Sequence, residues 1–204
     1  GGKATRKEIV AYLLGAKDGP KMRILMYVPN ETKKPVPAFV GFNFQGNHTV
    51  SKDPGITLAE QWLAEGKDKV MIRKTAGEET RGAQEVRWSV DLLIGRGYAL
   101  ATAYYGDLEP DFADGWKSGL RAALSTDGAN TQFAADDWGA MGAWSWGLSR
   151  IIDYLETDGD IDAKHVGVMG HSRLGKAALW AGATDERFAL VISNNSGCGG
   201  AALS

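Results

Sequence analysis

The residues best suited to chemistry lie in one stretch, Val166-Gly-Val-Met-Gly-His-Ser-Arg-Leu-Gly-Lys-Ala-Ala-Leu-Trp180. The apolar run from Val166 to Met169 reads as a strand, Gly170 marks a sharp reversal, and Leu174, Ala177, Ala178 and Ala181 recur at helical spacing. A serine at such a strand–turn–helix junction is pushed out with its hydroxyl exposed. The backbone N–H groups that open the helix then favour any negative charge developing beside it. Ser172 is therefore a candidate nucleophile. The competing reading is a plain β–α turn whose serine caps the helix. The pattern is G-x-S-x-x-G, with Leu174 where the commoner G-x-S-x-G turn has its second glycine. Gly170 leaves room for the reversal, and Gly175 lets the helix pack closely on the strand behind it.

The elements around this stretch define its setting. Thr5 to Leu14 and Lys21 to Val28 read as two strands of a hairpin, joined by the turn formers Lys17-Asp-Gly-Pro20. Ala38 to Phe44 is a third strand, apolar on both faces as a sheet interior requires. Val86, Val90, Leu93 and Ile94 mark a helix ended by Gly95 and Gly97, followed by a strand from Tyr98 to Tyr105. The longest helix is expected from about Trp138 to Leu155, stopping at Asp158-Gly159, and a last strand runs from Phe188 to Ser193. An antiparallel pair feeding alternating helices and strands predicts an α/β fold with a parallel, helix-covered sheet. Asn43-Phe-Gln-Gly-Asn-His-Thr49 falls at the C-terminal end of the third strand, where such sheets collect ligand-binding loops.

Composition narrows the function. The chain has 204 residues, 44% hydrophobic and 24% charged, with a formal net charge of -2, the balance of a soluble globular domain. No basic block exists, which argues against a nucleic-acid partner. No apolar run approaches the roughly 18 residues that span a bilayer, and no secretory signal is present, although one removed earlier is compatible with this sequence. The single cysteine, Cys198, excludes an internal disulfide framework and a cysteine metal site. Asp158, Asp160 and Asp162 imitate the start of a calcium loop. Ala163 and Met169 stand where the glycine and the bidentate glutamate belong, so the reading is a solvated turn, and no metal or organic cofactor is expected. Seven tryptophans, at 62, 88, 116, 138, 144, 146 and 180, suit a core and would also suit a carbohydrate-facing cleft.

Read whole, Gly170-His-Ser-Arg-Leu-Gly-Lys176, with Asp185-Glu-Arg-Phe188 and the segment from Ser193 to Ala202, closely resembles the glucuronoyl esterases of carbohydrate esterase family 15. Asn43 to Val50 and Tyr104 to Asp111 are similar to stretches of the bacterial members. The resemblance implies an α/β-hydrolase fold, a three-layer αβα sandwich, with residues 1–204 part of one catalytic domain whose N-terminal and C-terminal parts are absent here. It implies Ser172 as the nucleophile attacking the ester carbonyl of a (4-O-methyl-)glucuronic acid residue of glucuronoxylan esterified to lignin alcohols. Arg173 would help to form the oxyanion hole, and Lys176 would contact the sugar. The expected location is outside the cytoplasm, secreted or periplasmic; the oligomeric state is left open.

Elementary chemistry agrees with those roles. The Arg173 backbone N–H, next to Ser172 at a helix start, suits an oxyanion donor, and its guanidinium adds charge that cannot be titrated away. Lys176 follows Ser172 by four residues and shares its side of the helix. For both cations the alternative is a solvated helix start, which the helix dipole disfavours.

A serine needs a base and the base a carboxylate. His171 adjoins the nucleophile and should point away from the hydroxyl. His165 sits at the far end of the strand, and His48 comes too early for the Ser, acid, His order of α/β-hydrolases and reads as a loop-shaping residue. In the family the acid and histidine lie downstream of this chain's Ser204, so the expected content here is the nucleophile half of the site. An acetyl xylan or other carbohydrate esterase on the same fold, and a non-catalytic carbohydrate-binding module, are the alternatives.

Overall fold

The computed structural model describes residues 2–197 and 201. Cys198 and Ser204 lie outside the described residues, as do Gly199, Gly200 and Ala202 of the glycine-rich segment. The strands are β1 (Ala4–Tyr12), β2 (Lys21–Pro29), β3 (Val36–Asn43), β4 (Glu60–Glu65), β5 (Val70–Thr75), β6 (Ala99–Tyr104), β7 (Ile161–His171) and β8 (Phe188–Asn194). Six of them form one sheet in the order β1-β2-β6-β3-β7-β8. The expected hairpin is present, with β1 and β2 antiparallel over their full length. β2 runs antiparallel to β6, after which β6, β3, β7 and β8 are parallel. All six residues of β6 are buried, as a strand covered on both faces requires.

Alternation along β2 sends Leu25 and Tyr27 to one face and Ile24 and Met26 to the other. The first face is covered by α1 (Glu85–Trp88) and α2 (Val90–Gly95), from which Ile94 packs on Leu25 and Tyr27. A short helix, α3 (Leu120–Leu124), belongs to the long connection after β6. The second face carries α4 (Ala140–Leu155) and α5 (Arg173–Thr184). On α4, Trp144, Leu148, Ile151, Ile152 and Leu155 form one buried stripe against Val40, Phe42 and Val168. Each such side chain contributes about 1.5–3 kcal/mol on leaving water. The Ser145 hydroxyl lies 2.8 Å from the Met141 carbonyl and 2.9 Å from that of Ala177, which seats α4 against α5. The result is the expected three layers.

Three details differ from the sequence reading. The helix expected over 86–94 is broken at Ser89, which has φ 43° and ψ 46°, so Val86 is 91% exposed and outside the apolar face. The antiparallel β4–β5 hairpin has no counterpart in that reading. The aspartate-rich turn is ion-paired rather than solvated: Lys7 and Lys34 hold Asp158 and Asp160, and Asp162 pairs with His165. At the β8 edge, Leu190 and Ile192 remain 50% and 40% exposed.

Candidate active site

β7 delivers the chain to Ser172, which adopts φ 56° and ψ -131° before α5 begins. A non-glycine residue in that region carries roughly 1–3 kcal/mol of strain and persists only where its surroundings over-determine it. Here they do. The Ser172 N–H donates to the Asn194 carbonyl at 2.9 Å, and its own carbonyl accepts from the N–H groups of Gly175 at 2.9 Å and Lys176 at 3.2 Å. A Cβ on residue 170 would run into the backbone carbonyl of Leu174. On residue 175 it would meet the Ser196 hydroxyl at 2.5 Å and the Gly170 and Asn194 carbonyl oxygens at 3.0 and 3.2 Å. The second glycine therefore belongs at 175, where the first turn of α5 lies against β7 and β8. The hydroxyl of Ser172 makes no capping bond to the helix, contrary to a capping role.

Beside it, the half-exposed Arg173 guanidinium pairs with the Asp111 carboxylate, which comes from the loop after β6. The same Asp111 oxygen lies 3.4 Å from the Tyr105 hydroxyl. Burial, reinforced by the Asp111 charge, pushes the Tyr105 phenol well above its ordinary value, so it remains a donor. Arg173 is thus an anchored cation, neither merely solvated nor free. Lys176 is half-buried in the first turn of α5.

The histidines are placed largely as expected. His48 is fully buried, with Nε2 2.8 Å from the Thr80 hydroxyl and Nδ1 accepting the Ala59 N–H at 3.3 Å, and burial lowers its pKa. His165 pairs with Asp162 at 2.7 Å, and the His171 ring lies 3.3 Å from the Asn194 amide. Among the described residues no histidine is bonded to Ser172, and no group of His, Cys, Asp and Glu side chains could hold a metal ion.

A cleft of about 740 Å³ opens beside Gly170 and His171, walled by Phe44, Trp88, Met169 and Ile192 and edged by Gln45 and Arg87. Asn43 closes its floor. The Asn43 amide nitrogen donates to Asn47 at 2.8 Å and Thr102 at 3.1 Å, while its buried Oδ1 has no partner among the described residues. The β4–β5 hairpin is tied to residues at the C-terminal strand ends: the Trp62 N–H donates to the Tyr104 hydroxyl at 3.3 Å, and Arg73 pairs with Asp107 at 2.7 Å. The hairpin, Asp111 and Tyr105 are the parts of this region that the residue pattern alone did not mark. The first had a signal in Gly66 between two short apolar runs; the other two sit inside the quoted 104–111 stretch.

This sheet order, with a strained serine between a parallel strand and its helix, is the α/β-hydrolase arrangement. The family described as "Glucuronyl esterase, fungi" matches residues 129–203. The structure is similar to that of a glucuronoyl esterase from Solibacter usitatus, with TM-score 0.91 and 50% identity, covering 100% of this chain and 50% of that one. It is also similar to a structure described as a promiscuous CE15 esterase from the marine bacterial metagenome, with TM-score 0.80 and 46% identity over 99% of this chain and 50% of the other. A carbohydrate esterase from an unknown prokaryotic organism is 47% identical over all 204 residues and 47% of its own length. These matches support the resemblance to carbohydrate esterase family 15, the glucuronoyl esterases, that the residues around Ser172 carry. The chain spans about half the length of these relatives.

Among the described residues no helix is long and apolar enough to cross a membrane.

Proposed function

We propose that the whole protein hydrolyses the ester linking (4-O-methyl-)glucuronic acid of glucuronoxylan to lignin alcohols, and that these residues form part of its single catalytic domain. The observation that carries this reading is the strained Ser172 at the N-terminus of α5, with its hydroxyl unused by the helix and a cation on the next residue. In this reading the Ser172 oxygen attacks the ester carbonyl while a base takes its proton. The tetrahedral oxyanion is met by the Arg173 N–H and guanidinium, the alcohol leaves with a proton, and water then releases glucuronate from the acyl-enzyme. Lys176, one turn along, donates to the sugar. Since no histidine described here is bonded to Ser172, the base and its carboxylate are assigned to the half of the protein that this chain does not span. A polymeric substrate places the enzyme outside the cytoplasm, secreted or periplasmic. It needs no cofactor.

The relative described as promiscuous favours a second reading, in which other carbohydrate esters, acetylated xylan among them, are also cleaved. The test is hydrolysis of methyl glucuronate and of acetylated xylan by the full-length protein and by its Ser172→Ala variant. Serine-dependent cleavage of the glucuronate ester alone supports the first reading; cleavage of acetyl groups as well supports the second, and cleavage of acetyl groups alone overturns the first. Silence from the folded, full-length protein would leave a carbohydrate-binding module.

A further inference from the structure

We infer that Asp111 is a positioning residue for the reaction: its carboxylate holds the Arg173 guanidinium so that the other N–H donors of that group face the oxyanion forming at Ser172. The inference rests on the esterase reading above. A guanidinium carries five N–H donors, and the contact with Asp111 is made through Nη1 alone. The Arg173 side chain is 52% exposed and would otherwise sample many rotamers. An oxyanion donor that must be ordered during the reaction loses most of its advantage, because electrostatic catalysis depends on dipoles already in place.

Asp111 is built to be that fixed point. Its side chain is 23% exposed, against 52% for its partner. The Tyr105 hydroxyl reaches the same oxygen from a ring packed edge-on against Phe44 and Tyr104 and tilted against the buried Trp144. On the other side Phe112 rests on Trp62 of the β4–β5 hairpin, with ring centroids 5.5 Å apart. The anchor of this half-exposed cation is therefore itself anchored in the aromatic core and on the hairpin. An ordinary surface ion pair contributes little to stability and nothing to turnover, so the two accounts separate by experiment.

The experiment uses the full-length protein with methyl glucuronate and p-nitrophenyl acetate. Asp111→Asn should lower kcat by about tenfold with KM within about twofold, as expected when a donor needed in the transition state loses its preorganisation. Asp111→Glu should restore most of the loss. In an Arg173→Ala background, itself lowered about 100-fold, Asp111→Asn should cost nothing further. A kcat unchanged by Asp111→Asn, or the same loss with and without Arg173, overturns the inference. If neither ester is cleaved by wild type, the esterase reading falls. The pairing is then judged from the Arg173 Nε–H NMR signal, which should lose order in Asp111→Asn; an unaltered signal overturns it as well.

Discussion

The backbone N–H of Ser172 donates to the carbonyl of Asn194, which stitches the serine turn to the end of the neighbouring parallel strand. The nearby Ser193 hydroxyl donates to the Gly175 carbonyl at 3.0 Å, so β8 holds both the turn and the first turn of α5. This bracing sustains a backbone conformation that serine would not adopt alone.

Strain at Ser172 predicts a stability effect opposed to function. Ser172→Ala and Ser172→Gly should both abolish ester hydrolysis. Glycine tolerates φ near 56° while alanine does not, so the glycine variant should be the more stable of the two by about 1 kcal/mol. Urea unfolding of the pair decides it, and alanine equal to or better than glycine would show that the turn stores no strain.

The two glycines of the motif should differ in tolerance. The obstacle to a side chain at 170 is the backbone of Leu174, which cannot move without unwinding α5, whereas at 175 the nearest atom is the Ser196 hydroxyl. Gly170→Ala should cost about 3 kcal/mol or more and Gly175→Ala less, in the range of overpacking at about 1–3 kcal/mol. Equal midpoints for the two variants in urea would contradict the assignment.

Much of this arrangement is legible in the sequence, for identifiable reasons. Gly170, Ser172 and the apolar spacing from Leu174 to Ala181 are local, and local geometry determines a strand–turn–helix. The parallel strands β3, β6 and β7 announce themselves because burial on both faces needs continuous apolar runs. The pairing of Arg173 with Asp111 joins residues 62 positions apart and depends on strand order, which no spacing encodes. The break at Ser89 escaped because Val86 fits a helical face by spacing and only tertiary packing leaves it in solvent. The hairpin escaped because β4 and β5 have no fully buried residue, so their apolar alternation is weak.

Asp107 links that hairpin to pH. Burial raises its pKa to about 6, against the opposing charge of Arg73 and the Arg23 N–H. A carboxyl with a raised native pKa binds more protons in the fold than in the unfolded chain between about pH 4 and 6, so it withdraws stability as pH rises through that window. The shift corresponds to about 3 kcal/mol. Asp107→Asn removes the titration, and its stability relative to wild type should increase by that order from pH 4 to pH 7. Urea midpoints of both proteins across this range provide the measurement; a constant gap would mean that Asp107 ionises as it does in the unfolded chain.

Asp158, held by Lys7, carries the opposite linkage. The Lys7 ammonium lies 2.7 and 2.8 Å from the two Asp158 oxygens and 2.8 Å from Asp160, fastening β1 to the turn before β7. Burial raises the Asp158 pKa, but hydrogen bonds from Lys7, the Asp160 N–H and Tyr154 outweigh it and hold the carboxyl below its ordinary value. Such a group stabilises the fold above the unfolded-state pKa and ceases to do so as pH falls through the native one. Lys7→Met leaves the Asp158 side chain, only 6% exposed, without its cation. The cost at pH 7 should be about 2 kcal/mol, shrinking below pH 4 as the carboxylates protonate. Lys74→Met, which removes an exposed pair with Glu65, should change little at either pH. Because Lys7, Lys34 and His165 already occupy the three aspartates, millimolar calcium should leave the melting temperature unchanged. A calcium-dependent rise, or a Lys7→Met cost that persists at pH 3, would show that this turn is held by something other than its lysine pairs.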